Sequence, residues 1–407
     1  MADTAHWLSV EQAWQRLEAA VPQIELERES VELPTAGGRV LAANIQSPID
    51  MPPADRSTMD GIALCHAQAE AGRALPISQH LPAGQPPALL HPGTAARIFT
   101  GAPVPPGADT VIAQEDCVFA ADQVRVRCLP ECGSHIRRRG ADMATGQTLL
   151  SAGHRLRPQD LGLLAAAGVA QVEVLRRLRV ALVVTGDELV PPGQRLSAGK
   201  IYESNAPMLA ELIRGFGGAP DCFYCADDLQ QTVDTLDKAA SASDLVLSIG
   251  GASVGDSDHI RAALQRLGKL DFWRIAIKPG KPFLCGNLGE VPLLGLPGNP
   301  VSAWLACCLF CQPFIRKLQG GPFTRPRTWP ARAAFSLVKT SPRQQYLRGI
   351  LVDAAGSCTP EVKLLPEQVS SALSSLCAAE VLVAIPPQTA IRKGQVVDVV
   401  LVGELVG

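Results

Sequence analysis

The chain has 407 residues, 47% hydrophobic and 19% charged, a balance suited to a folded globular protein with room for about two to four domains. A formal net charge of −2 provides no field that draws nucleic acid or an acidic membrane surface, so an anionic ligand has to be held by local groups. The opening MADTAHWLSVEQAW lacks the basic start and apolar core of a secretion signal, and no uninterrupted apolar run of about 18 residues predicts a membrane span. A cytoplasmic protein is the expectation.

Residues 7 to 21 predict an amphipathic helix, with Ser9 as its cap and Trp14, Leu17 and Val21 at helical spacing. From about 48 to 145 Pro and Gly become dense, and short β-rich pieces (ARIFT, TVIAQ, QVRVRC) lie between them, which predicts a small β-rich domain without long helices. A helical piece at 158 to 168 and a strand QVEVLR lead out of it. From about 178 strands and helices alternate: RVALVVTG, the helix SNAPMLAELIRGFG, a helix over 230 to 242, DLVLSIGG, a helix from about Asp256, WRIAIKPG and VPLLGLPG. A long apolar helix then runs from Pro300 to Leu318. This order predicts parallel βαβ units in a three-layer α/β domain, with ligands expected beyond the carboxyl ends of the strands. QGGPFTRPRTWP reads as a linker, and the short strands after it predict a C-terminal β-barrel or sandwich.

Twelve cysteines in a chain this long are not a disulfide framework. Cys222 and Cys225 form a CxxC, and Cys307, Cys308 and Cys311 cluster on a predicted helix. Neither group is completed at zinc spacing, so buried free thiols are expected.

The chemistry gathers at the strand ends of the α/β region. TGDEL places Asp187 and Glu188 just past one strand; GGASVGDSD places Gly250, Gly251, Ser253, Asp256 and Asp258 past another. IKPGKP sets Lys278 and Lys281 around a Pro-Gly turn, and LPGNPVS sets Pro297, Asn299, Pro300 and Ser302 at a helix start. Singly, each has a structural reading as a cap, a turn or a solvated charge. Together they make an acid-plus-base site for a phosphorylated ligand. Glycines let backbone N–H groups approach a phosphate, carboxylates hold Mg²⁺, and lysines supply positive charge. No Walker motif is present, and the glycine spacing of GGASVG is wrong for a dinucleotide fingerprint.

Read together, PADRSTMDGIA, RIFTGAPVPPGADTVIAQED, RRRGADMATG, VVTGDEL, GKIYESN, DLVLSIGGASVGDSD, IAIKPGKPF and GLPGNPVSAW resemble the molybdopterin molybdenumtransferase family, which includes the C-terminal domain of gephyrin. The resemblance covers nearly the whole chain. It implies four domains: an elongated first domain (1–47 and 146–177), an inserted β-rich second domain (48–145), an α/β third domain like the molybdopterin adenylyltransferases (178–326) and a C-terminal β-barrel (327–407). It implies a homodimer whose active site is shared between subunits. The implied reaction takes adenylyl-molybdopterin and molybdate as substrates, inserts molybdenum with Mg²⁺ assistance and releases AMP.

Carried over by motif, Glu188, Asp228 and Asp258 would handle Mg²⁺ and the pyrophosphate, and Asp60, Thr100 and Asp142 would come from the facing second domain. Lys278, Lys281, Ser302, Ser370 and either Arg343 or Arg348 would form the molybdate pocket, where donors and positive charge suit an oxyanion. The sequence departs from the family pattern at Ile62, at the Gln368-Val369-Ser370-Ser371 stretch, where Ser370 is preferred to Ser371, and at Arg274, where a lysine is common. The rival readings are an adenylyltransferase-like activity, set against by the extra domains, and a gephyrin-like scaffold, set against by the retained acids and lysines. Expected partners are the substrates, a second copy, and the adenylyltransferase and other proteins of cofactor biosynthesis.

Overall fold

The computed structural model describes residues 7–250, 259–353 and 359–406. The chain divides into two compact units: one holds residues 30–37 and 41–174, the other the remainder.

In the larger unit, α1 (Val10–Ala20) begins as its sequence predicts. Ser9 accepts from the Gln12 N–H while the Gln12 side chain accepts from the Ser9 N–H, a reciprocal capping box. The α/β region contains β1 (Leu178–Thr185), α2 (Asn205–Gly215), β2 (Gly218–Cys225), α3 (Leu229–Ala242), β3 (Leu245–Ile249), α4 (His259–Leu267), β4 (Gly268–Trp273), β5 (Leu284–Leu288) and β6 (Val291–Leu296). They form one sheet in the order β2-β1-β3-β6-β5-β4. The first four strands are parallel and the β5 and β4 pairings antiparallel. Both faces are buried, because alternate residues of β1 feed different cores. Val180, Leu182 and Val184 enter one, while Ala181 and Val183 enter the other. The strand β4 was not anticipated: GKLDFW carries too little apolar alternation to announce itself, and it exists because β5 offers it an edge.

The helical run Pro300–Leu318 has the length and hydropathy of a membrane span, yet 83% of its apolar window is buried inside the protein. Its middle turn, Cys307–Cys311, widens into a π-helix just before Pro313. Proline has no N–H to give the carbonyl four residues back, so the ladder opens there. The orphaned Leu309 carbonyl is taken by the Trp14 indole N–H at 2.8 Å, which ties α1 to this helix. Cys307, Cys308 and Cys311 are buried in the same run, and the eleven described cysteines are all free. Burial drives the Cys308 and Cys311 thiols well above their ordinary pKa.

C-terminal to that run, Gln344–Val352, Glu361–Leu364, Trp329–Ala333, Val396–Leu401 and Val381–Ile385 pair in that order, and the last returns to the first to close a five-stranded barrel. Beyond Trp273, which ends β4, WRIAIKPG does not join the α/β sheet as its apolar residues suggest. Ile277–Lys278 pairs instead with Gln344 and Gln345, the first residues of a barrel strand.

Asp244, just before β3, anchors the start of the parallel strands. Its carboxylate accepts from Arg176 (2.6 Å), the Arg179 guanidinium (3.0 Å) and the Arg179 N–H (2.8 Å). Burial alone would raise its pKa, but these donors outweigh burial and bring it down to about 2. A depressed carboxylate stabilises the fold above its unfolded pKa and loses that contribution as pH falls through the folded value. Urea unfolding should therefore find Asp244→Asn less stable by about 1–2 kcal/mol at pH near 6, allowing for solvent screening. The gap should close as pH falls toward about 2.

In the smaller unit a six-stranded sheet runs Thr110–Ala113, Gly61–Leu64, Ala95–Ile98, Ala74–Leu81, Gln123–Val126, Cys117–Ala120. Residues 62 and 64 face one core and residue 63 the other, and the only helices described between 48 and 145 are short 3-10 turns, as the Pro/Gly texture predicts. A separate cluster of Leu33, Leu41, Leu156, Leu164 and Val174 packs around the helix Pro158–Ala166.

Candidate active site

A cleft of about 1280 Å³ lies in the larger unit, over the carboxyl ends of β2, β1, β3 and β6. Each strand end delivers a different group. Past β2 stands Asp227, past β1 Glu188, past β3 Gly250, and past β6 the turn Pro297–Asn299 with Pro300 and Ser302. The cleft is completed by Lys278 and Lys281, by Arg343 just before the first barrel strand, and by Ser370 and Ser371.

Two glycines make the geometry possible. Gly250 has φ +81°, and a Cβ there would meet Thr185 Oγ1 at 3.2 Å, so the β3 end can close onto β1 only without a side chain. Gly280 has φ +102°, and a Cβ would sit 3.4 Å from the Ser302 Cβ and 3.7 Å from Pro297. The lysine-bearing loop thus lies flat against the Pro297–Ser302 turn.

At the strand ends the charges are segregated along the sheet edge, while Glu367, beyond the sheet, also lines the cleft. At the β2/β1 end, the Asp187 N–H donates to Asp227 Oδ2 and the Asp227 N–H donates to Asp187 Oδ1, both at 3.2 Å, and Lys200 Nζ donates to the Asp187 carbonyl. This reciprocal pair fixes the two loops that carry the cleft acids Glu188 and Asp227. At the β6 end are the cations. Lys278 is held by its pairing to Gln345, and Arg343 donates to the Ile277 carbonyl at 3.3 Å. Burial lowers the Arg343 pKa, which marks a guanidinium short of solvation that an anion would supply. Among the described residues no carboxylate pairs with Lys278 or Lys281.

Most of the residues singled out in the sequence meet here: Glu188, Gly250, Lys278, Lys281, Pro297, Asn299, Pro300, Ser302, Arg343 and Ser370 all line the cleft. Gly251, Ser253 and Asp258 lie outside the described residues. Two of the residues lie outside the cleft lining. Asp228 does not line the cleft; it is the N-cap of α3 and accepts from the Gln231 N–H at 2.9 Å, while its neighbour Asp227 faces the site. Arg348 is only 1% exposed, and its guanidinium is consumed by Ser375 Oγ and the Glu367 and Val369 carbonyls, each at 3.0 Å. Of the two arginines left open by the sequence, Arg343 is the one in the cleft. Both Ser370 and Ser371 line it, and the Ser370 carbonyl also accepts from the Val301 N–H at 3.0 Å.

Asn205 was missed. At a helix start it reads as a cap residue, but Glu203 does the capping, accepting from the Asn205 and Ala206 N–H groups at 2.6 and 2.8 Å. Ser204, the residue that precedes α2, makes no capping bond. The Asn205 amide is left to donate to the Gly298 carbonyl at 2.7 Å, and its Oδ1 has no partner among the described residues. Itself part of the cleft lining, it pins the β6 turn.

In the smaller unit, Asp60 Oδ1 accepts from the Thr100 N–H (2.7 Å) and the Thr100 hydroxyl (2.8 Å), and these bonds hold its pKa below the ordinary carboxylate range. Asp142 stands 3.6 Å from Arg137.

Three family models match the chain: the MoeA N-terminal region (domain I and II) over residues 8–168, a probable molybdopterin binding domain over 181–317, and the MoeA C-terminal region (domain IV) over 330–402. A protein of Haemophilus influenzae named molybdopterin molybdenumtransferase is 37% identical over 346 residues, covering 84% of this chain and 85% of its own. The chain belongs to the molybdopterin molybdenumtransferase family. A second relative, molybdopterin molybdenumtransferase 2 of Mycobacterium tuberculosis, is 38% identical over 81% of this chain and 84% of its own. Among solved structures, the molybdopterin biosynthesis moeA protein of Pyrococcus horikoshii OT3 superposes with a TM-score of 0.81 at 29% identity, covering 97% of this chain and all of its own. The multidomain architecture described above is that of the family.

Proposed function

We propose that this chain is a molybdopterin molybdenumtransferase that takes adenylyl-molybdopterin and molybdate and releases AMP. The observation that carries the reading is the arrangement of charge within one cleft: Glu188 and Asp227 at the β2/β1 end, and at the β6 end Lys278, Lys281 and Arg343, none of which has a carboxylate partner among the described residues. An adenylylated pterin presents both partners such a surface needs, a pyrophosphate at one end and a dithiolene that must meet an oxyanion at the other.

Lys278, Lys281 and Arg343, with the hydroxyls of Ser302 and Ser370, hold molybdate by charge-assisted hydrogen bonds. Gly250 and the Pro297–Asn299 turn leave space for the ligand's phosphates against backbone N–H groups. Mg²⁺ fits the acidic end. Glu188 and Asp227 offer hard oxygen donors on adjacent strand ends, and this ion commonly takes only one or two protein carboxylates beside phosphate oxygens and water. When bound there it would offset the pyrophosphate's charge. Glu188 and Asp227 would hold that ion, while water attacks phosphorus, the bridging phosphorus–oxygen bond breaks and AMP departs, leaving a phosphate on the pterin.

The finer parts of the proposal are a homodimer, in which Asp60, Thr100 and Asp142 serve a second copy's cleft, the four domain boundaries given above, and a cytoplasmic setting, supported by the eleven described cysteines being free. An adenylyltransferase would supply the adenylylated substrate.

The purified protein, given adenylyl-molybdopterin, molybdate and Mg²⁺, should release AMP, and Lys278→Ala should cut that rate by about 10²-fold. Transfer of AMP from ATP with no AMP release would point instead to the adenylyltransferase reading. Full complementation of a deletion strain by Lys278→Ala would favour the scaffold.

A further inference from the structure

The short segment before α1 runs alongside the lysine loop. Leu8 forms a parallel bridge to Ile275, with the Leu8 N–H donating to the Arg274 carbonyl (3.3 Å) and the Ala276 N–H to the Leu8 carbonyl (2.8 Å). Two more backbone bonds, Arg274 N–H to the Phe283 carbonyl (2.8 Å) and Ile275 N–H to the Lys281 carbonyl (3.2 Å), make the loop and this segment one hydrogen-bonded piece. Arg274 adopts φ +75°, a conformation an arginine enters only at a cost.

Along this piece the aromatic and cationic side chains touch in series. The Arg274 guanidinium lies 3.8 Å from the Trp273 ring centroid and 5.9 Å from that of Trp7, and Lys281 Nζ lies 4.9 Å from the Trp7 ring. Trp7 is half-buried and lies outside the cleft lining, whereas Lys281 lines it.

We propose that Trp7 is a positioning residue for Lys281: its indole fixes the ammonium group in the cleft without neutralising it. Lysine loses more rotamer freedom on being fixed than almost any other side chain, so an oxyanion site built on one benefits from holding it beforehand. A carboxylate would hold the ammonium too, but would consume its donors and cancel its charge. The face of an indole attracts a cation through its quadrupole and leaves the N–H donors for an anion. Leu8 supplies the rigidity, because its two backbone bonds set where the indole stands relative to the loop. This inference rests on the reading of Lys281 as a molybdate ligand.

The test titrates sodium molybdate alone into the full-length wild type, Trp7→Leu, Trp7→Phe and Lys281→Ala, with an unfolding midpoint for each. Lys281→Ala should bind most weakly. Trp7→Leu, which keeps apolar bulk but has no ring, should weaken binding by roughly threefold to tenfold at an unchanged unfolding midpoint. Trp7→Phe should recover most of that loss. Wild-type affinity in Trp7→Leu beside a weakened Lys281→Ala overturns the Trp7 role and leaves the oxyanion site standing. Equal losses in Trp7→Leu and Trp7→Phe also overturn it, since shape rather than the ring's charge distribution would then matter. Unchanged affinity in Lys281→Ala, or no uptake by the wild type, overturns the oxyanion reading and the Trp7 role together.

Discussion

Arg348→Met is expected to destabilise the larger unit by about 3–4 kcal/mol and to weaken molybdate binding although the side chain lies outside the cleft. The arginine is almost wholly buried, and it is the post around which residues 366–371 fold. Its guanidinium donates to the Glu367 and Val369 carbonyls and to Ser375 Oγ. Its backbone exchanges two bonds with the Gln368 side chain, at 3.0 and 2.8 Å. Methionine matches the stem's volume but removes all three guanidinium bonds, taking the donor from the Val369 carbonyl and leaving the Glu367 carbonyl with Ser375 Oγ alone (2.6 Å), and each such loss costs about 1–3 kcal/mol. Burial already lowers the arginine's pKa, so the site tolerates the charge because these acceptors are in place. Lysine should not rescue, since a point charge cannot reproduce the planar fork. Urea denaturation gives the stability change. Molybdate titration gives the second effect, because Ser370 sits at the end of the stretch the guanidinium holds. Stability and affinity both unchanged in Arg348→Met would remove this account of the loop.

The same loop shows where sequence reading reached its limit. Strands such as Leu178–Thr185 and Leu245–Ile249 were legible because a strand buried on both faces is an apolar run whatever its neighbours do. The capping box at Ser9 and Gln12 was legible in part from its first residue, since the bond spans only three positions. Arg343 and Arg348 could not be told apart, as their difference lies in partners up to 66 residues distant, Ile277 for Arg343 and Ser375 for Arg348, which no local pattern encodes. Ile277–Lys278 looked like a strand and is one, but its partner is a barrel strand more than sixty residues on, chosen by tertiary packing. Asn205 was hidden for a further reason. Its residue type at a helix start has an ordinary capping role, and only the structure reveals that Glu203 has taken that role and released the amide to Gly298.

The sequence carries the metal role to Asp228, whereas the cleft is lined by Asp227, and an experiment separates these two readings sharply. A one-residue difference is decided by the start of α3: the residue whose carboxylate reaches the N–H three positions on becomes the cap, and the one before it is turned to the strand end. Asp227→Asn should therefore lower the rate of AMP release by about 10²-fold at nearly unchanged stability. The amide keeps an acceptor for the Asp187 N–H but removes the charge needed beside a pyrophosphate. Asp228→Ala should do the reverse, costing about 1 kcal/mol of stability as the cap is lost while leaving the rate within about twofold. Glu188→Gln, across the reciprocal loop pair, should fall with Asp227→Asn, and the double variant should lose less than the product of the two if both serve one ion. Rates from AMP release and midpoints from urea unfolding, taken on all four proteins, decide it. A large rate loss in Asp228→Ala with Asp227→Asn near wild type would return the metal-handling role to Asp228 and require the start of α3 to rearrange when substrate binds.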